Sequence, residues 1–111
     1  TVDRAVATFL AEGGRGRRAI LAASGIVTLQ TIRALDRAGQ HMPGDVGLVG
    51  FDEMEWSRLV GPGITTLRQP TAAIGAALAE RLFARIAGDH APAQDVVFPG
   101  ELIARGSSRP S

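Results

Sequence analysis

Two short stretches carry the side chains best placed for chemistry: Ala23-Ser24-Gly25 and Phe51-Asp52-Glu53. In each, a run of apolar residues ends abruptly on polar ones. A carboxylate in such a place can accept two hydrogen bonds from neighbouring hydroxyls of a sugar. Charge-assisted bonds of this kind are about twice as strong as neutral ones. Trp56 lies four residues beyond Asp52, and an indole face can pack on the apolar face of a sugar ring. Structural roles compete for each residue. Ser24 reads first as the cap of the helix that follows it, a role one hydroxyl can combine with a ligand contact. Asp52 could equally cap a short helix, and Trp56 suits the core or a subunit interface as well as a ligand.

Other reactive patterns are missing. There is no cysteine, so disulfides, thiolate nucleophiles and cysteine-bound metals are excluded. His41 and His90 are far apart in predicted loops, with no metal-ligand spacing. The stretch Gly13–Arg18 lacks the lysine and hydroxyl of a phosphate-binding loop and precedes a strand, so it reads as a solvated connection. Ser24 is not in a nucleophile elbow and has no paired histidine. Neither a catalytic residue, a metal nor a cofactor is expected, and the chain does not read as an enzyme.

The elements that must position these residues follow from periodicity. Val2, Val6, Phe9 and Leu10 recur at helical spacing, stopped by Gly13-Gly14. Ala19–Ala23 reads as a parallel strand buried on both faces. A helix after Ser24 presents Leu29, Ile32 and Leu35 and ends at Gly39. After a turn at Met42–Asp45, Val46–Phe51 forms a second buried strand, followed by a short helix around Met54–Leu59. Ile64–Leu67 is a third strand, rich in β-branched residues. Ile74, Leu78, Leu82 and Ile86 then fall at four-residue intervals in a helix opened by Pro70-Thr71 and closed by Gly88. Val96–Phe98 and Leu102–Ala104 read as late strand pieces, and Gly106–Ser111 as a frayed tail. Strands and helices in alternation predict an α/β domain with a mostly parallel sheet.

Composition agrees with a folded domain. Of the 111 residues, 45% are hydrophobic and 21% charged, with a net charge of +1. Bulk charge therefore offers nothing to nucleic acid or to an anionic membrane. No apolar run reaches the roughly 18 residues of a membrane span. The chain opens on Thr1 with a helical pattern starting at once, which predicts a piece of a longer protein.

Four motifs in register resemble the bacterial transcription repressors of the lac repressor (LacI/GalR) family. The first runs Ala19–Ser24 into a helix ending Ile32–Gly39. The second is Pro43–Asp52, with its proline, acid, valine and final glycine–aromatic–aspartate. The third is Pro62–Pro70, a threonine pair followed by glutamine–proline, and the fourth is Glu101–Ser108, closing on arginine–glycine–serine. The resemblance covers essentially the whole chain. It implies a periplasmic-binding-protein-like (type I) fold of two α/β subdomains. Residues 1–63 would belong to the C-subdomain, 64–90 would supply a crossover strand and a helix of the N-subdomain, and 91–111 would return to the C-subdomain. The DNA-reading headpiece lies outside this chain.

The resemblance also implies roles. Asp52 matches the aspartate that contacts the effector, and Ser24 a turn residue that often does; Trp56 would serve the site or the interface. Leu29, Arg33, Leu59 and Val60 match the C-subdomain dimer interface, with Val2, Ala5 and Phe9 nearby. The implied partners are a sugar or sugar-acid effector, a second copy of the protein, and operator DNA through the headpiece, in the cytoplasm and away from membranes. One departure stands out: Ser24-Gly25 occupies the turn where the family commonly has asparagine–aspartate. A smaller side chain there leaves room for a bulkier or charged effector. Two rivals are a sugar-binding component of a transporter, which shares the fold, and a doubly wound enzyme, for which no catalytic group is visible.

Overall fold

A computed structural model describes residues 1–109. By contacts they form two units, Thr1–Arg68 with Leu102–Ser111 and Gln69–Glu101.

The first unit begins with helix α1 (Val2–Ala11), whose cap Thr1 accepts a hydrogen bond from the Arg4 amide at 3.3 Å. Strand β1 (Ala19–Ala22) leads to helix α2 (Gly25–Arg37), and strand β2 (Gly47–Phe51) to a one-turn 3-10 helix at Glu55–Arg58. Strand β3 (Thr65–Arg68) and, after the second unit, strand β4 (Glu101–Ile103) complete a sheet of order β1-β2-β3-β4. β1 and β2 run parallel with Ala22 opposite Gly50, and β2 and β3 run parallel with Phe51 opposite Leu67. The architecture is α/β, as the alternation predicts.

Two apolar clusters hold this unit together. Val6, Ala34, Leu35 and Val46 join α1, α2 and the entry to β2, with Val2, Phe9 and Leu10 packed around them. Ala22, Leu48 and Ile64 join the strand ends, with Val27, Ile32, Trp56 and Val60 against them. The α2 face turned inward carries Thr28, Thr31, Ala34 and Leu35, so Leu29 lies to one side of it, half-buried. Both threonines donate their hydroxyls to carbonyls one turn back, Ser24 and Val27. This satisfies a polar group that would otherwise be costly to bury.

Three expectations need correction. β1 is an edge strand covered on one face only: Leu21, between the inward Ile20 and Ala22, is 73% exposed. Val96–Phe98 forms no strand, and Val97 is 90% exposed; Pro99 follows, without the N–H a ladder would need. Gly106–Ser108 is not frayed but forms a 3-10 turn whose Ser107 is completely buried, while Pro110 and Ser111 lie outside the described residues.

The second unit is helix α3 (Thr71–Ile86) with the segment that follows it. Gly88 takes a positive φ just past the helix end, as a terminating glycine should. Leu78, Leu82, Phe83 and Ile86 are exposed along it. Among the described residues no helix is long and apolar enough to cross a membrane.

Candidate functional site

Ser24 and Asp52 each stand two residues beyond the last pair of β1 and β2, Ala22 and Gly50. Parallel pairing thus brings the two marked stretches to the carboxyl end of neighbouring strands, where ligands of parallel α/β sheets bind. Ser24 is extended and caps α2: its hydroxyl accepts from the Val27 amide at 3.2 Å. Gly25 follows, and a Cβ there would meet the Met54 sulfur at 2.9 Å, so a larger residue would require the flexible Met54 side chain to move.

Asp52 is held in a left-handed conformation, φ 83°, the only non-glycine positive φ among the described residues. Aspartate tolerates this region better than most side chains. The turn lets the chain leave β2 sharply while the Asp52 amide still donates to the Leu67 carbonyl of β3 at 2.9 Å. The N-cap of the 3-10 helix is Met54, so the alternative of Asp52 as its cap falls away.

The next residue carries the strongest electrostatics in the molecule. Glu53 accepts two bonds from the Arg105 guanidinium, at 2.8 and 2.5 Å, and one from the Thr66 hydroxyl at 2.9 Å. The Arg68 guanidinium stands 3.6 Å away. Arg105, with Thr66 and Arg68 assisting, pulls the Glu53 carboxyl down from 4.5 to about 2 against the upward push of burial. The bond to Glu53 in turn raises Arg105. Arg105 is itself fixed, donating also to the Ile64 carbonyl at 2.8 Å. Glu53, Met54, Glu55, Arg58, Arg68 and Arg105 line an open recess of about 280 Å³.

The other residues singled out by sequence do not gather in this recess. Trp56 is half-buried, its ring against the cluster of Ala22, Leu48 and Ile64. Val60 packs on the same cluster, whereas the neighbouring Leu59 is 72% exposed. Leu29 and Arg33 lie one turn apart on α2, and Arg33 lines a shallow recess with Thr1, Val2, Asp3, Gln30 and Arg37. Arg37 pairs with Asp3 across this recess. Among the described residues no group of three or more His, Cys, Asp or Glu is arranged to hold a metal ion.

Sequence reasoning missed the partnership of Glu53 with Arg105 and the role of the closing serines. The Ser107 hydroxyl donates to the Leu48 carbonyl at 2.6 Å and accepts from the Thr65 amide at 2.9 Å. The Thr65 hydroxyl bonds the backbone of Arg105 and lies 2.6 Å from the Ser108 hydroxyl. The arginine–glycine–serine close is the signal that pointed to these residues, but nothing in its spacing names their partners.

A family model described as a periplasmic binding protein-like domain matches residues 3–108. The HTH-type transcriptional regulator PtxS of Pseudomonas putida is 46% identical over 105 residues, spanning 95% of this chain and 31% of the relative. A LacI-family transcription repressor from Corynebacterium glutamicum superimposes with a TM-score of 0.84 at 30% identity, over 97% of this chain and 41% of that one. The regulator CelR, solved as a cellobiose complex, superimposes with a TM-score of 0.73 at 32% identity, over 81% of this chain and 28% of that one. The chain spans about a third of the length of the curated relatives it matches. This coverage, with the parallel sheet and the marked strand ends, makes the chain a member of the periplasmic-binding-protein-like domain family, in the form carried by LacI-type regulators.

Proposed function

We propose that this chain is the C-terminal part of the effector-sensing domain of a LacI-type transcriptional regulator. The observation that carries this reading is the pair of strand ends that sets Ser24 and Asp52 at one level of the sheet. In it, Asp52 accepts hydrogen bonds from effector hydroxyls, Ser24 makes a smaller contact, and the exposed part of Trp56 borders the ligand. The effector class is a sugar or sugar acid; the cellobiose complex of CelR supports the sugar part of this reading. Residues 1–63 and 91–111 then belong to one subdomain, with 64–90 carrying the crossover; that the chain leaves the first unit after Arg68 and re-enters it at Leu102 supports two connections, though not these bounds. Leu29, Arg33, Leu59 and Val60 form the homodimer contact. Operator DNA is bound by a headpiece elsewhere in the protein, and the working compartment is the cytoplasm.

Mechanistically, an effector controls DNA affinity only through different affinities for two states of the protein. A hundredfold difference corresponds to about 2.7 kcal/mol, within the usual range of allosteric coupling. The test is binding of the intact protein to DNA from upstream of its own gene, with and without sugars and sugar acids. DNA binding that one compound changes at least several-fold is expected. A protein that takes up a sugar yet binds no DNA would instead be a transport component.

A further inference from the structure

We infer that Glu53 is the positioning residue for Asp52, fixing the turn from which the effector contact is made. The inference rests on the reading of Asp52 as that contact. It starts from the order of attachments. Phe51 pairs with Leu67, and the Asp52 amide then donates to the carbonyl of that same Leu67, at 2.9 Å. One residue further on, the Glu53 carboxylate accepts from the Thr66 hydroxyl, also on β3, at 2.9 Å. Asp52 is therefore anchored on both sides to one strand, by its own backbone and by its neighbour's side chain. A left-handed aspartate costs free energy that surrounding contacts must offset.

Arg105 makes the second anchor rigid. Its guanidinium grips Glu53 at 2.8 and 2.5 Å and the Ile64 carbonyl at 2.8 Å, while its amide donates to the Thr65 hydroxyl at 2.8 Å. A bidentate arginine–carboxylate pair fixes direction as well as distance. Glu53 thus gathers β3 and the segment after β4 onto the turn at Asp52. Arg68, 3.6 Å from the same carboxylate, is the last residue of the first unit before the chain enters the second. β3, through Thr66 and Arg68, and the segment after β4, through Arg105, converge on one carboxylate beside Asp52.

A merely structural ion pair would loosen the whole sheet when broken, whereas a positioning residue would release the turn first. The test uses the intact protein with Glu53→Gln, Arg105→Lys and Asp52→Asn. In Glu53→Gln, amide exchange at Asp52 should quicken at least about tenfold more than at the β1 and β2 amides, and by less in Arg105→Lys. Exchange at Asp52 that stays at the wild-type rate, or that rises equally across the sheet, overturns the inference. Calorimetry with D-gluconate, D-glucose and cellobiose supplies the functional arm. Any compound bound by the wild type should bind about 10- to 100-fold more weakly to Glu53→Gln. Binding lost in Asp52→Asn but unchanged in Glu53→Gln defeats this inference alone. Binding unchanged in Asp52→Asn defeats the reading of Asp52 itself. If none of the three compounds binds, the exchange rates decide whether Glu53 fixes the turn.

Discussion

Glu53 and Arg105, 52 positions apart in the chain, meet in a two-pronged ion pair at 2.8 and 2.5 Å. The pair is mostly shielded, with side-chain exposures of 15% and 18%. It ties the turn after β2 to the segment after β4, so the closing motif is part of the fold's framework.

Acid should weaken this framework in a defined window. The Glu53 carboxyl titrates at about 2 in the folded protein against an ordinary 4.5. Its folded value is depressed, so its contribution is complete above the ordinary value and is lost as pH falls from about 4.5 towards 2. Glu53→Gln should therefore cost on the order of 2–3 kcal/mol near neutral pH, and much less near pH ~2.5. Urea unfolding at the two pH values checks this. An equal loss at both would assign the cost to shape rather than charge.

Ser107 bridges two strands with one hydroxyl, joining the Leu48 carbonyl to the Thr65 amide just before the β2–β3 ladder begins. Ser107→Ala leaves both groups buried without that partner. The expected loss is about 2–4 kcal/mol, since each unmet group costs roughly 1–3 kcal/mol. Chemical denaturation measures it, and a loss under about 0.5 kcal/mol would be at the level of an ordinary surface change.

Two glycines are required by close approach. A Cβ at Gly106 would lie 2.5 Å from both the Cβ and the carbonyl oxygen of Pro62, and backbone cannot yield cheaply. Gly106→Ala should cost about 1–3 kcal/mol or more. At Gly50 the obstacle is a side chain, Thr28, with its hydroxyl 2.7 Å from the new Cβ. Gly50→Ala should be destabilising alone and partly rescued by Thr28→Ala. A double-mutant cycle with no coupling would show that α2 shifts as a whole instead.

Much of this architecture was legible because its signals are local. The four-residue spacing from Ile74 to Ile86 announces α3, and the apolar run before Asp52 announces β2. Ser24 announces its own cap. The misreadings came from distance or from solvent. Leu21 belongs to an apolar run yet faces outward, because burial depends on which layers surround a strand. Gly106–Ser108 has the composition of a loose tail, and only the folded strands show that Ser107 is received between Leu48 and Thr65. Glu53 stands beside the residue that the motif emphasises, and its partner lies in another motif altogether. The left-handed turn at Asp52 has no sequence marker, since glycine is the usual one and none stands there.

Thermal melting tests effector sensing through Asp52. The intact protein is melted with a panel of sugars and sugar acids, alone and as Asp52→Asn, a substitution that keeps a side chain tolerant of positive φ while removing the charge. A ligand at ~100 times its dissociation constant adds about 2.7 kcal/mol, a rise of several degrees. Such a rise is expected for one compound class, together with its loss in Asp52→Asn. A rise of equal size in wild type and variant would contradict it.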